Sequence, residues 1–242
     1  MASRGAALIT GGARRIGRVL VTAAADAGYD VAIHVRSVDD EAETAAAEVR
    51  ARGRKAAIFP CDLRKESTTV ALVGEVEGEL GPVTLLVNCA SVFEEDAFSD
   101  MNRASWDAHM ETNLRAPLVL AQAFARRLPA DREGLIVNVL DQRVLHPTPE
   151  FFSYSLSKAA LWDATKILAQ ALAPRVRVNG IGPGPTLPST YQDPADFDAE
   201  ARATLMGRAV PPSQIGQALR YLIDATSVTG QMIAVDSGQH LA

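Results

Sequence analysis

Short runs of apolar and β-branched residues recur along the chain, and longer segments whose apolar positions return with helical spacing separate them. We predict strands at seven of these runs: Ala6–Thr10, Asp30–Val35, Ala56–Pro60, Thr84–Asn88, Leu135–Leu140, Val176–Ile181 and Met232–Val235. Apolar residues stand at successive positions in them, which is typical of strands that helices cover on both faces. The pattern therefore predicts a parallel sheet inside layers of helices.

The segments with helical spacing lie between these runs. They are Arg15–Ala27, Asp39–Arg52, Glu66–Glu79, Arg103–Leu128, Ser153–Ala173, Asp196–Met206 and Ser213–Thr226. Gly28, Gly53 and Gly81 each follow one of the first three, and glycine is the usual residue just past a helix end. The alternation predicts an α/β fold, a doubly wound Rossmann fold with a seven-stranded parallel sheet flanked by helices.

The length of 242 residues suits one domain, so we expect a single domain over residues 1–242. The irregular stretch is Gly182–Asp196, which is rich in Pro, Ser, Thr and Asp. Such a segment inside a compact domain often forms a lid over a site. We predict a substrate lid around residues 182–206.

Composition and charge exclude several classes of protein. The net charge of −5 and the pI near 5.4 argue against nucleic acids and anionic membranes as partners, because both select clustered positive charge. The chain shows neither a signal-peptide layout nor an apolar run of membrane-spanning length, so we expect a cytoplasmic protein. Cys61 and Cys89 lack CxxC spacing and the four histidines lack HExxH spacing, so we expect no metal site.

A glycine-rich joint connects the first predicted strand and helix: Thr10-Gly11-Gly12-Ala13-Arg14-Arg15-Ile16-Gly17. A tight turn here lets the backbone approach a pyrophosphate, and the helix N-terminus adds N–H groups and the positive end of its dipole. The full GxGxxG pattern is not present, since Arg15 stands where a small residue is usual. Taken alone, the motif also fits a plain strand–turn–helix joint.

The end of the second strand indicates which dinucleotide would bind. An acidic residue at this position favours NAD, whereas an arginine accommodates the 2′-phosphate of NADP. Arg36 stands here with Ser37 beside it, and Arg14 or Arg15 can converge from the first loop. A guanidinium binds two phosphate oxygens at once, so the sequence favours NADPH.

Carboxylates and a hydroxyl near this end leave alternatives open. Asp39 and Asp40 argue against a phosphate site, but they also fit as residues that open the next helix. Ser37 fits equally well as the cap of that helix. We place Asp62, followed by Leu63, at the adenine edge, although a turn-forming aspartate explains Asp62 nearly as well.

Tyr154 and Lys158 stand four residues apart near the start of a long predicted helix, which stacks them on one face. A tyrosine is a poor acid at neutral pH because its ordinary pKa is about 10. A nearby ammonium stabilises the phenolate, so we expect Lys158 to lower the pKa of Tyr154. Such pairs also occur by chance on exposed helices.

Several motifs together are more specific than any one of them. In chain order they are Thr10-Gly11 with Gly17, Asn88-Cys89-Ala90-Ser91, Asn113, Tyr154 with Lys158, and Pro183-Gly184. In this the chain resembles the short-chain dehydrogenase/reductase family over essentially its full length. The resemblance implies that Tyr154 is the proton donor and that Lys158 also holds the nicotinamide ribose. It further implies that Asn113 supports a proton-relay water and that Asn88 and Ala90 border the cofactor.

One position departs from the family pattern. The usual carbonyl-orienting serine lies thirteen residues before the catalytic tyrosine, and here that position is Asp141. A carboxylate would repel a developing alkoxide, whereas it can accept N–H bonds from a nitrogen heterocycle. If buried, it can also stay partly protonated and act as an acid. The alternative is that Asp141 is a turn residue facing solvent.

Further residues look like those of the pteridine reductase and dihydromonapterin reductase branch. The resemblance implies that Arg15 reaches cofactor phosphate and pterin, that Ser91 and Thr186 contact the phosphate, and that Ile16, Pro183 and Gly184 line the cofactor. Phe93 would sandwich the pterin against the nicotinamide, which adds roughly 1 kcal/mol beyond area burial. Phe93 also fits as a loop-anchoring core residue, and we expect Phe151 and Phe152 to be packing residues.

The leading hypothesis is an NADPH-dependent reductase that transfers hydride to a C=N bond of a dihydropterin, with a proton delivered through Tyr154 or Asp141. Ser91, Phe93 and Arg15 complete the predicted substrate site. The first alternative is a reductase of the same family that acts on a 3-oxoacyl thioester or another carbonyl. The second is a regulator that binds NADPH without turnover. The resemblance implies a homotetramer, although the sequence leaves a dimer open.

Overall fold

The computed structural model describes residues 3–189 and 192–242. Seven strands form a parallel sheet in the order β3-β2-β1-β4-β5-β6-β7. They are β1 Ala6–Thr10, β2 Asp30–Val35, β3 Ala56–Pro60, β4 Val83–Asn88, β5 Gly134–Val139, β6 Val176–Pro183 and β7 Met232–Val235. Each neighbouring pair is parallel. The predicted doubly wound α/β fold is confirmed.

Helices connect the strands and cover both faces of the sheet. They are α1 Arg15–Asp26, α2 Asp40–Ala51, α3 Glu66–Leu80, α4 Arg103–His109, α5 Ala116–Arg127, α6 Phe152–Leu172, α7 Pro194–Ala203 and α8 Pro212–Asp224, with short 3-10 turns at Gln142–Val144 and Gln239–Leu241. Gly28, Gly53 and Gly81 have φ of 94°, 73° and 89° just past α1, α2 and α3, so the predicted stop signals are confirmed.

The predicted helix Arg103–Leu128 is one continuous helical run to Arg127, but its hydrogen-bonding pattern changes in the middle. A π-helical turn at Met110–Arg115 separates α4 from α5 and contains Asn113. The cause lies in the sequence, because Pro117 has no N–H to donate to the carbonyl of Asn113 four residues earlier. Such π-turns frequently occur at functional sites.

Two apolar clusters lie on opposite faces of the sheet. In β1, Ile9 points into the cluster beneath α1, α2 and α8, whereas Leu8 points into the cluster beneath α3 and α5. Both side chains are fully buried, and each such burial stabilises the fold by about 1.5–3 kcal/mol. Because helices cover both faces, a large ligand can bind only at the carboxyl edge of the sheet, where the strands end and their loops meet.

That edge has a crevice where the strand order reverses, between β1 and β4. Thr10 ends β1, and its hydroxyl oxygen accepts hydrogen bonds from the N–H groups of Cys89 at 2.9 Å and Ala90 at 3.0 Å. The loop after β4 is thereby fixed beside the glycine turn after β1.

The segment predicted as a lid, residues 182–206, begins within the last residues of β6 and contains α7. Strand β6 continues through Pro183, and α7 begins at Pro194, where Asp193 caps the N–H of Ala195 at 2.8 Å. Thr190 and Tyr191 lie outside the described residues. Across residues 3–189 and 192–242 there is no helix long and apolar enough to cross a membrane, and no group of three metal-ligating side chains.

Candidate active site

The glycine turn after β1 is too tight for side chains at two positions. Gly11 has φ of 65°, and a Cβ there would lie 3.0 Å from the Cα of Ala90. A Cβ on Gly17 would lie 2.0 Å from the carbonyl oxygen of Gly11. Arg15, at the first position of α1, also has a positive φ of 51°. The backbone is therefore bare and strained where a pyrophosphate would approach the helix N-terminus.

His34 braces this turn, a role that the sequence analysis missed. Its Nδ1 accepts the N–H of Gly11 at 3.2 Å, and its Nε2 lies 3.0 Å from the carbonyl oxygen of Cys61. These partners assign a neutral imidazole whose proton is on Nε2. Burial lowers the pKa of His34 below its ordinary value. The detectable signal was the position of His34 at the end of β2, where the predicted sheet puts it beside the glycine turn.

We expect the His34→Asn variant to lose less thermal stability than the wild type between pH 7 and pH 5. The native imidazole has a lowered pKa, so below about pH 6.5 the unfolded chain binds more protons and stability falls with pH. At most about 1.4 kcal/mol is lost per pH unit in this window. Thermal melting of both proteins across this range measures the effect, and parallel curves would contradict it.

The charged groups at the end of β2 separate into paired and exposed ones. Asp39 caps α2 by accepting the N–H of Ala42 at 2.9 Å, so its predicted role at the helix start is confirmed. Ser37 is therefore not that cap. Arg14 reaches this edge, where it pairs with Asp39 and Glu41. Arg36 and Ser37 are exposed.

The residues predicted at the adenine edge are engaged within the protein. The carboxyl of Asp62 pairs with Arg64 at 3.1 Å and accepts the backbone N–H of the same residue at 3.1 Å. This is the turn-forming alternative, and the Arg64 guanidinium lowers the pKa of Asp62. The side chain of Leu63 is buried in the cluster beneath α3.

Asn113 joins the loop after β4 to helix α6. Its amide oxygen accepts the N–H of Val92 at 2.8 Å and the hydroxyl of Ser91 at 3.1 Å, and its amide nitrogen donates to Ser157 at 3.1 Å. Asn88 donates to Asn138 at 2.8 Å. Among the residues that the structure describes, the buried amide oxygen of Asn88 has no hydrogen-bond partner. A polar acceptor therefore remains free at the end of β4.

Tyr154, Asp141 and Lys158 meet at the end of β5. The Tyr154 hydroxyl donates to Oδ2 of Asp141 at 2.8 Å, and Oδ1 of Asp141 accepts the N–H of Arg143 at 2.9 Å. The Lys158 ammonium donates to the carbonyl of Val139 at 2.8 Å and lies 5.7 Å from the centre of the Tyr154 ring. Asp141 does cap a turn, at Gln142–Val144, but it is half-buried and its carboxyl binds Tyr154 instead of facing solvent.

The proton affinities of these groups differ from the sequence-based expectation for Tyr154. Burial raises the pKa of Asp141 and lowers that of Lys158 to about 8. Burial and the Asp141 carboxylate raise the pKa of Tyr154 well above its ordinary value, so the expected lowering by Lys158 is wrong here. Tyr154 thus holds its proton firmly in a hydrogen bond to Asp141.

An aromatic stack forms one wall beside Tyr154. The rings of Phe93 and Phe151 are stacked at 4.3 Å with 13° between their planes, and Phe93 meets Tyr154 edge-on at 4.7 Å. The guanidinium of Arg143 lies 5.2 Å from the Phe151 ring centre. Phe151 was expected only to pack and is instead part of this wall, as is Arg143. Phe152 packs edge-on against Phe98, as expected for a packing residue.

Arg15 connects the glycine turn to the predicted lid. Its guanidinium donates to the carbonyls of Pro188 at 2.7 Å and Leu187 at 3.1 Å. Thr186 is buried and donates to the carbonyl of Gly184 at 3.0 Å. A Cβ on Gly184 would lie 2.7 Å from the Cα of Asp236, so this turn too is closely packed.

These features fit a bound NADPH. The strained glycine turn and the N-terminus of α1, where Ile16 is half-buried, suit the pyrophosphate, and exposed Arg36 suits the 2′-phosphate. Lys158 and the unpartnered oxygen of Asn88 provide a donor and an acceptor along the crevice.

Comparisons with known proteins agree on the family and differ on the substrate. The family model described as short chain dehydrogenase matches residues 5–197. Cyclopentanol dehydrogenase from Comamonas testosteroni is 31% identical over 96% of this chain and 95% of its own. The 3-oxoacyl-[acyl-carrier-protein] reductase of Staphylococcus aureus (strain N315) is 27% identical over 97% and 98%. The crystal structure of FolM alternative dihydrofolate reductase 1 from Brucella canis, complexed with NADP, superposes with a TM-score of 0.96 at 46% identity, covering 100% of this chain and 96% of that one.

Proposed function

The chain belongs to the short-chain dehydrogenase/reductase family, and from that premise we propose that it reduces a C=N bond of a pterin-like substrate with NADPH. The observation that carries the proposal is the hydrogen bond from Tyr154 to Asp141 at 2.8 Å. A carboxylate replaces the family's hydroxyl at the point where a carbonyl oxygen would be oriented. The 46% identity to an alternative dihydrofolate reductase supports the same substrate class.

NADPH, when bound along the glycine turn, Arg36 and Lys158, supplies the hydride. Tyr154 lies at the head of α6 and holds a proton that it shares with Asp141, whose own pKa is raised. Together the two residues can deliver one proton to a substrate nitrogen. Lys158, fixed on the carbonyl of Val139, keeps a positive charge next to this pair.

The charge at Asp141 favours nitrogen over oxygen. Carbonyl reduction builds negative charge on oxygen, which a neighbouring carboxylate repels. In C=N reduction the nitrogen takes up a proton, and ring N–H or amino groups donate to a carboxylate in a charge-assisted bond. The stacked Phe93 and Phe151 add an aromatic wall that suits a flat heterocycle.

The direct test is NADPH oxidation with a dihydropterin and with an acetoacetyl thioester under matched conditions. The proposal expects turnover of the dihydropterin with the higher kcat/KM. Turnover of the thioester alone would reverse the choice of substrate. NADPH binding without turnover of either compound would favour the regulatory alternative.

Arg36 is proposed to bind the 2′-phosphate. We expect Arg36→Ala to raise the Kd of NADPH about 10- to 100-fold, because a charge-assisted bond is worth about 1.5–3 kcal/mol. NADH lacks that phosphate, so its Kd should change little. Fluorescence titration measures both constants. Arg52→Ala is the control, because it removes the same charge from the C-terminal end of α2, far along the helix from Arg36. There Arg52 pairs with Asp26.

We also propose that residues 182–206 act as a substrate lid in a chain that forms one domain over residues 1–242. The bonds from Arg15 to the carbonyls of Leu187 and Pro188 support the lid, since they tie that segment to the glycine turn. A homotetramer is proposed as well, supported by Leu156 and Ile167, which are 40% and 63% exposed on α6. The cytoplasmic location stays a prediction.

A further inference from the structure

A buried carboxylate from the loop after β4 caps helix α6 immediately before Tyr154. Asp96 accepts the N–H of Phe152 on its backbone oxygen and the N–H of Ser153 on Oδ1, both at 2.9 Å. Its Oδ2 accepts the hydroxyl of Ser153 in a very short hydrogen bond. Asp96 is 7% exposed and Ser153 is fully buried. Asp96 therefore caps the first two N–H groups of α6 within the protein interior.

The cap continues into a histidine on α4. The single hydroxyl proton of Ser153 is given to Asp96, so its oxygen accepts from Nδ1 of His109 at 2.7 Å. Nε2 of His109 then accepts the N–H of Glu94 at 3.3 Å. The donors and acceptors thus assign each bond of this network one direction. The network joins the loop after β4, the end of α4 and the start of α6.

The origin of this cap is unusual for a helix. The residue at the N-cap position is Phe151, which has φ of 52° and no side-chain oxygen to accept a hydrogen bond. Asp96, 57 residues before Ser153 in the chain, takes over that function. A local cap would stabilise the helix alone, whereas this one ties the helix to the loop that contains Phe93.

We propose that Asp96 and Ser153 are positioning residues that set the spacing between the aromatic wall and the proton donor. Phe93 adjoins Glu94 in the capped loop, Tyr154 adjoins Ser153 in the helix, and the two rings are 4.7 Å apart. A flat substrate held by Phe93 meets the Tyr154 hydroxyl only if this spacing is kept. The part that concerns Phe93 rests on the proposed function, whereas the orientation of Tyr154 does not.

The test compares Asp96→Asn with Asp30→Asn. An asparagine at position 96 presents an N–H donor in place of the Oδ2 that accepts the Ser153 hydroxyl, so that hydroxyl proton loses its acceptor and the network is broken. Asp30 is a matched control because it is also 7% exposed and its carboxyl also accepts a backbone N–H, that of Lys55 at 2.9 Å. It is the first residue of β2, so it lies at the opposite edge of the sheet from the site. Both variants should lose thermal stability.

We expect Asp96→Asn to lower kcat/KM at least about 10-fold, as a small misplacement of reacting groups can do, and to leave the Kd of NADPH within about twofold. Asp30→Asn should keep kcat/KM within about twofold. If Asp96→Asn fails to fold, Ser153→Ala replaces it, since it retains the carboxylate and both backbone bonds. Ser153→Ala should likewise lower kcat/KM.

Two results would overturn the positioning role. One is a kcat/KM for Asp96→Asn equal to that of wild type. The other is an equal loss of kcat/KM in Asp96→Asn and Asp30→Asn that parallels the drop in their melting temperatures. Both substrates are assayed with wild type first. If only the thioester is reduced, the proposed function fails, yet the comparison of Asp96→Asn with Asp30→Asn is still made on the thioester, because Tyr154 donates the proton in either reaction.

Discussion

Replacing Tyr154 with phenylalanine should reduce kcat by about 10²- to 10⁴-fold, the usual contribution of a positioned acid. The change removes the hydroxyl that donates to Asp141 and keeps the ring that meets Phe93 edge-on. The Kd of NADPH should stay within about twofold, since Lys158 retains its own bond to the carbonyl of Val139. Steady-state kinetics and fluorescence titration measure the two constants.

Tyr29 offers a control of identical chemistry. It is 7% exposed and follows α1 at the amino edge of the sheet, so Tyr29→Phe removes a buried phenol hydroxyl that lies away from the site. Its kcat should match that of wild type. If Tyr154→Phe retained wild-type kcat, Asp141 would have to supply the proton alone, and the role of Tyr154 would be abandoned.

The strand pattern predicted the sheet because each strand is buried on both faces and leaves a continuous apolar run. Element ends were less well predicted, since they depend on single contacts. Strand β6 extends through Pro183 because its last residues pair with β7, and α7 starts at Pro194 because Asp193 caps it. The π-helical turn between α4 and α5 was signalled in the sequence by Pro117, which a hydrophobic pattern ignores.

The candidate site was predictable to the extent that spacing determines it. Asp141 lies thirteen positions before Tyr154, and Lys158 lies four positions after it. These separations predicted which residues meet in the structure. The direction of the Tyr154 pKa shift was not predictable, because it depends first on how far the phenol is buried and then on which charge lies nearer the hydroxyl. In the structure Asp141 accepts directly from that hydroxyl, whereas Lys158 is bound to a carbonyl.

Backbone strain marks another part of the site that spacing could not reveal. Arg15 and Phe151 have φ of 51° and 52°, a region that side chains rarely adopt and that costs roughly 1–3 kcal/mol. One begins the helix after the glycine turn and the other precedes the helix of Tyr154. In this conformation Phe151 stacks on Phe93, so a residue expected to pack became part of the wall.

The second large effect is expected at Asp141. Asp141→Ser restores the hydroxyl that the family uses to orient a carbonyl, so kcat/KM for a dihydropterin should fall about 10- to 100-fold while that for an acetoacetyl thioester rises. Asp141→Asn is the matched variant, because it keeps the shape and removes the charge. It should lose the pterin activity, because no charge remains to accept the ring N–H groups in a charge-assisted bond.

The stability of Asp141→Ser should depend on pH differently from that of wild type. Because the native pKa of Asp141 is raised, the folded protein binds more protons than the unfolded chain just above the ordinary aspartate pKa of about 4. That contribution is present at low pH and is lost as pH rises through the native pKa, where the half-buried carboxylate must ionise. The melting temperature of Asp141→Ser should therefore rise relative to that of wild type as pH increases from 4 to 8. A difference in melting temperature that stays constant with pH would show that folding does not raise the pKa of Asp141. An unaltered dihydropterin kcat/KM in Asp141→Asn would show that the carboxylate takes no part in pterin reduction.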